Sequence, residues 1–166
     1  AGIDSLVVID DSIVRGTTLK ESIIRMLDRL GPNKITIVSS APQIRYPDCY
    51  GIDMSKMGEF IAFQAVVELM KDHKQTHILT DVYADCLQAE KSNKLSSTNF
   101  VKKIYKQYSI EEINIKIAQM LRTKDVNAEV EIIYQTIENL HEACPDNKGD
   151  WYFTGDYPTP GGNVVV

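Results

Sequence analysis

The sequence predicts an α/β fold, with parallel strands and flanking helices followed by a C-terminal helical segment. Three observations carry this expectation. Leu6-Val7-Val8-Ile9 and Lys34 to Ala41 are continuous apolar or β-branched runs, the pattern of parallel strands buried on both faces. Between them Leu19, Ile23, Leu27 and Leu30 recur at helical spacing, with Met26 beside them. Strand, helix, strand in so short a stretch is a βαβ unit with a right-handed crossover expected. Beyond Ser109, amphipathic helical patterns take over.

The first strand ends in two adjacent carboxylates, Asp10 and Asp11, and runs into Ser12-Ile13-Val14-Arg15-Gly16-Thr17-Thr18 before the helix begins. Ligands of open α/β sheets sit beyond the carboxyl ends of the strands. This turn offers hydroxyls, one glycine and the N–H groups of a helix start, which together make a phosphate cradle. A helix N-terminus favours a bound anion by roughly 0.3–1 kcal/mol. Each of roughly three or four hydrogen bonds to a charged phosphate adds about 1.5–3 kcal/mol, so no lysine is required. Two bare carboxylates would repel a diphosphate, and the conflict implies a hard cation, Mg²⁺, with Asp10 and Asp11 as candidate ligands. Taken singly, these residues are ordinary strand ends and helix caps. Their ordered combination points instead to a ribose 5-phosphate.

Gly31-Pro32 stops the first helix. Pro42 and Pro47 bracket an extended loop that should open toward the cradle. Arg45, within it, either meets a substrate phosphate or is a solvated surface arginine. A helix is predicted from Lys56 to Lys71, with Phe60, Phe63, Val67 and Met70 as a core stripe. A short apolar piece, Ile78-Leu79, and a helical Asp81 to Lys91 follow. Polar Ser92 to Asn99 marks a boundary between residues 1–91 and a helical extension, residues 92–148. There Ser109-Ile110-Glu111-Glu112 forms a capping box, with Ile113, Ile117 and Leu121 on one face. Val130, Ile133, Ile137 and Leu140 repeat the spacing up to Cys144-Pro145, so an αα-hairpin on the α/β core is expected. Residues 149–166, rich in glycine and proline, read as a flexible tail.

Bulk composition agrees with one globular unit: 166 residues, 43% hydrophobic and 25% charged. No apolar run approaches the ~20 residues that span a membrane, and no leader pattern opens the chain, so a cytoplasmic location is expected. Cys49, Cys86 and Cys144 are odd in number and far apart, which favours free thiols. A net charge of −5 argues against nucleic-acid binding. His73, His77 and His141 show no zinc motif, since the glutamate that a His-Glu-x-x-His site needs is absent around Gln75.

Leu6 to Thr18, LVVIDDSIVRGTT, resembles the thirteen-residue phosphoribosyl pyrophosphate signature of type I phosphoribosyltransferases. Ser40-Ala41-Pro42-Gln43-Ile44-Arg45-Tyr46-Pro47 and Tyr50-Gly51-Ile52-Asp53-Met54 narrow the likeness to the amidophosphoribosyltransferase family, over about residues 5 to 65. Trp151 to Thr159 resembles that family's C-terminal end. The resemblance implies a partial type I phosphoribosyltransferase fold, with residues 1–91 its C-terminal half and the N-terminal glutaminase domain absent. It implies a piece of a longer polypeptide, without turnover alone. The implied reaction is attack of glutamine-derived ammonia on C1 of phosphoribosyl pyrophosphate, the first committed step of purine synthesis.

Carried onto this chain, Asp10 and Asp11 would be catalytic. Ser12, Ile13, Val14, Arg15, Gly16, Thr17, Thr18, Arg45, Asp53 and Met54 would bind substrate. The expected cofactor is Mg²⁺. Some members hold an iron–sulfur cluster, but Gly149 and Tyr152 stand where two thiolates would be needed, so none is expected. Implied partners are phosphoribosyl pyrophosphate and ammonia, AMP or GMP as feedback inhibitors, and further copies of the full-length chain, with no nucleic acid or membrane. A nucleotide-binding regulatory module or another type I phosphoribosyltransferase are the alternatives. The retained acid pair speaks against the first, and the IRYP and YGIDM segments against the second.

Overall fold

Three parallel strands lie in the order β1 (Ser5–Asp10), β2 (Lys34–Ser39) and β3 (Glu129–Tyr134). The computed structural model describes residues 4–48, 54–147 and 149–166. Asp10, Ser39 and Tyr134 are partners in register, so all three strands end on one line. Side chains alternate across the pleat. Ile35, Ile37, Val130 and Ile132 therefore share one face and are buried there, with Leu6 and Val8 partly covered beside them. Val7 and Ile9 point the other way and are 65% and 76% exposed.

After β1 the chain winds first as a π-type turn, Leu19–Ile23, and then as α1 (Ile24–Asp28). Leu19 and Ile24 are the buried residues of this helix, Ile23 and Leu27 pack partly buried against the core, and Met26 and Leu30 are exposed. The expected stripe thus holds through Leu27, is joined by Ile24, and loses Leu30. A 3₁₀ turn, Met57–Glu59, leads into α2 (Ile61–Asp72), with Phe60 as its N-cap. Ile61, Ala62, Ala65, Val66, Leu69 and Met70 carry the buried face of α2, and Phe63 and Val67 are only half-buried.

Ile78-Leu79 and the segment after it form one helix, α3 (His77–Lys91). The short α4 (Lys102–Tyr105) follows, then α5 (Ile110–Leu121). The capping box at Ser109 is formed: its hydroxyl accepts from the Glu112 amide, and Glu112 accepts from the Ser109 amide at 2.7 Å. Those bonds hold the Glu112 carboxyl below the ordinary glutamate range. Ile113, Ile117 and Leu121 are buried as α5 packs on α2 and on β3.

The expected αα-hairpin is corrected. Its second helix is the third strand, β3, followed by α6 (Ile137–Ala143). Glu129, Glu131 and Ile133 alternate with buried Val130, Ile132 and Tyr134, a period-two pattern of strand-favouring residues. The helical spacing of Val130, Ile133, Ile137 and Leu140 arises by adding a strand to the helix after it. Thr136 caps α6 by accepting from the Asn139 amide.

Residues 149–166 carry α7 (Trp151–Thr154) and α8 (Pro160–Val165). They bond back to the body through Arg45 N–H and Tyr46 N–H to the Tyr152 carbonyl, and through Asn163 Nδ2 to the Ser96 carbonyl. No helix among the described residues is long and apolar enough to cross a membrane.

Candidate functional site

Asp10 is the last residue of β1, and Asp11 follows it onto the surface. Ser40, directly after β2, holds both: its amide donates to the Asp10 carbonyl at 2.9 Å and its hydroxyl to the Asp11 carbonyl at 3.1 Å. Ser12 Oγ lies 3.3 Å from Asp11 Oδ1. The sequence places Ser40 within the expected second strand and in the family-like Ser40–Pro47 segment, without a site role; the strand ends one residue before it.

The turn itself is built around Gly16, whose φ of +69° lies in the left-handed region. A Cβ there would stand 2.5 Å from Ile61 Cδ1 and 3.0 Å from Leu121 Cδ2. Glycine is needed both for the backbone and for the close approach of α2 and α5. The Val14 carbonyl accepts from the Ile61 amide at 2.8 Å, and the Gly16 carbonyl from the Lys20 amide at 3.0 Å. Ile13 is buried and anchors the turn to the core.

Tied in this way, the turn leaves most of its amides unbonded. The amides of Ser12, Ile13, Val14, Gly16, Thr17 and Thr18 donate to nothing among the described residues. Backbone N–H groups left open in sequence form an anion-binding concavity. Asp10, Ser12, Ile13, Val14, Arg15, Gly16, Thr17, Thr18 and Leu19 together line one hollow of about 450 Å³. Arg15 stands at its edge, its Nε 2.8 Å from Glu59 Oε2.

The other expected site residues lie elsewhere. Arg45 does not line this hollow. Its Nε and Nη2 donate to Gln43 Oε1 at 3.0 and 2.7 Å, and its guanidinium sits 5.2 Å from the Tyr105 ring centre. Burial lowers its pKa. The Met54 carbonyl accepts from the Asp48 amide at 2.7 Å, and Met54 does not line the hollow either. Asp53 falls outside the described residues.

Among the described residues, no three or more His, Cys, Asp or Glu side chains group as a metal site. His73 ends α2 and stacks near Tyr108, whereas His77 opens α3, so the two share no helix. His141 faces Asp150 at 2.9 Å. Cys86 and Cys144 are free thiols.

A parallel sheet, an acid pair at a strand end and a glycine-turned cradle opening beside it define a partial phosphoribosyltransferase fold. No protein-family model matches the chain. Individual relatives do. It is 51% identical over 59 residues to an amidophosphoribosyltransferase of Pasteurella multocida, a match covering 36% of this chain and 12% of the relative. It is 50% identical over 58 residues to the Escherichia coli enzyme of that name, covering 35% of this chain and 11% of the relative. The Saccharomyces cerevisiae amidophosphoribosyltransferase is 33% identical over 137 residues, covering 76% of this chain and 26% of the relative. The chain belongs to the amidophosphoribosyltransferase family and spans 11–26% of the length of these relatives.

Proposed function

We propose that this chain binds the ribose 5-phosphate end of phosphoribosyl pyrophosphate and, within a longer polypeptide, serves transfer of glutamine-derived ammonia to its C1. The observation that supports this most is one hollow lined by Asp10 and by residues, Thr17 and Thr18 among them, whose six amides have no acceptor among the described residues. The amides and the hydroxyls of Thr17 and Thr18 anchor the 5-phosphate. Binding energy from that nonreacting end positions C1.

Asp10 and Asp11 take the 2- and 3-hydroxyls. As the C1–O bond to diphosphate breaks, positive charge develops on the ribose ring, and the two carboxylates favour it electrostatically. Ammonia adds to C1 with inversion, giving 5-phosphoribosylamine and diphosphate. Asp10, which lines the hollow, and Asp11, beside the Ser12 hydroxyl but outside that lining, carry hard oxygen donors. They suit Mg²⁺ in an incomplete set that substrate oxygens would complete. When bound, that ion neutralises charge on the leaving diphosphate. AMP and GMP carry the same ribose 5-phosphate and would compete for the cradle.

Titration with ribose 5-phosphate tests the assignment. Asp10→Asn combined with Asp11→Asn should weaken binding roughly tenfold or more, as lost hydrogen bonds to charged groups do. The unfolding free energy should stay within about 0.5 kcal/mol of the parent, as for other surface changes. Unaltered affinity in the double variant would remove the diol contact from the proposal.

A further inference from the structure

Beside the loop after β2 lies a second hollow, about 330 Å³, lined by Arg45, Tyr46, Lys102, Tyr105, Lys106 and Phe153, among others. We propose that it is an oxyanion site distinct from the cradle, suited to a phosphate group. Arg45 lines it, and also the neighbouring hollow beside Gln43 and Asn114. Asn114 of α5 accepts from Gln43 Nε2 at 2.6 Å, which turns the Gln43 oxygen toward Arg45. That oxygen takes Nε and Nη2 of the guanidinium, and the Tyr105 ring lies against it.

The group is thereby held before any ligand arrives, which lowers the cost of binding. Only one edge of the guanidinium is used. Its outer Nη1 and Nη2 donors form the fork that matches two oxygens of a phosphate, and no carboxylate among the described residues pairs with them. A half-buried charge without a counter-charge is unfavourable, and an anion relieves it.

The surrounding charge agrees. Lys102 pairs with Asp156, whereas Lys106 makes no ion pair among the described residues and lines the same hollow. Two uncompensated cations and an aromatic wall thus line one space, which shares no lining residue with the hollow at Asp10.

The test is an NMR titration of the ¹⁵N-labelled chain with inorganic phosphate at constant ionic strength, with chloride and acetate as controls. The Arg45 Nε–H signal, assigned by its loss in Arg45→Lys, should shift saturably with phosphate alone. Lys106→Gln, a change at an exposed position that should leave the fold intact, should raise the half-saturation roughly threefold to fivefold, the scale of an exposed charge interaction. A linear shift reproduced by chloride, or an unchanged half-saturation in Lys106→Gln, would overturn the site. An equal response to acetate would overturn the phosphate assignment. Movement of the Gly16 and Thr17 amides while Arg45 stays still would place phosphate in the cradle alone, leaving that reading intact and this one refuted.

Discussion

Two loops leave the ends of neighbouring parallel strands, and they have opposite characters. The loop after β1 is fastened at few points, chiefly the carbonyls of Val14 and Gly16 and the side chain of Ile13, and most of its amides are unbonded. The loop after β2 is fastened along its second half and by its side chains. Tyr152 takes both the Arg45 and Tyr46 amides, Tyr105 Oη donates to the Arg45 carbonyl at 2.9 Å, and Tyr157 Oη to the Pro47 carbonyl at 2.5 Å. Pro42, Gln43, Ile44, Tyr46 and Pro47 are all buried. Similar positions in the sheet therefore do not give similar roles. The β1 turn leaves its backbone amides open, whereas the β2 loop ties its backbone to the C-terminal segment.

The contrast can be broken at four points. Gly16→Val should be the most damaging, costing about 3 kcal/mol from left-handed strain and crowding against Ile61 and Leu121. Denaturant unfolding measures it, and a cost under about 1 kcal/mol would mean that the cradle is not held by that contact.

In the β2 loop, burial pushes the Tyr46 hydroxyl up to about 12. A raised pKa means that its contribution is complete below its unfolded value near 10 and is lost as pH rises toward 12. Tyr46→Phe should therefore remove about 2 kcal/mol of the stability lost over that alkaline range, followed by pH-dependent unfolding. Tyr105→Phe strands the Arg45 carbonyl and should cost about 1–1.5 kcal/mol without altering ribose 5-phosphate affinity as read at the Gly16 and Thr17 amides. Loss of that affinity would erase the distinction between the two loops. Arg15→Ala breaks an exposed pair with Glu59 and should cost under about 0.5 kcal/mol.

Much of this was legible before the structure. β1 and β2 followed from their apolar runs, the stop at Gly31-Pro32 from its residue types, and the start of α5 from its capping box. The hollow after β1 was legible in outline because its lining is local: consecutive residues bring acid, hydroxyl and glycine together. What failed was non-local. β3 reads as helix because Val130 and Ile133 happen to sit three apart, and only pairing with β2 distinguishes a strand there. Arg45 was placed by the loop that carries it. Its real direction depends on Gln43, Asn114 and Tyr105, the last of these 60 residues away in the chain. Gly16's need to be small likewise depends on Ile61 and Leu121, which no local pattern brings near.

β1 has apolar residues on both of its faces, Leu6 and Val8 inward and Val7 and Ile9 outward. A slide of one residue would swap these sets at little hydrophobic cost, although it would turn the carboxylates to opposite sides. What indexes the strand is a pin at each end: the Asn33 amide on the Asp4 carbonyl, and the double clasp of Ser40 on Asp10 and Asp11. Alignment of the acid pair thus rests on fasteners at the strand's tips, and its greasy middle would tolerate either setting.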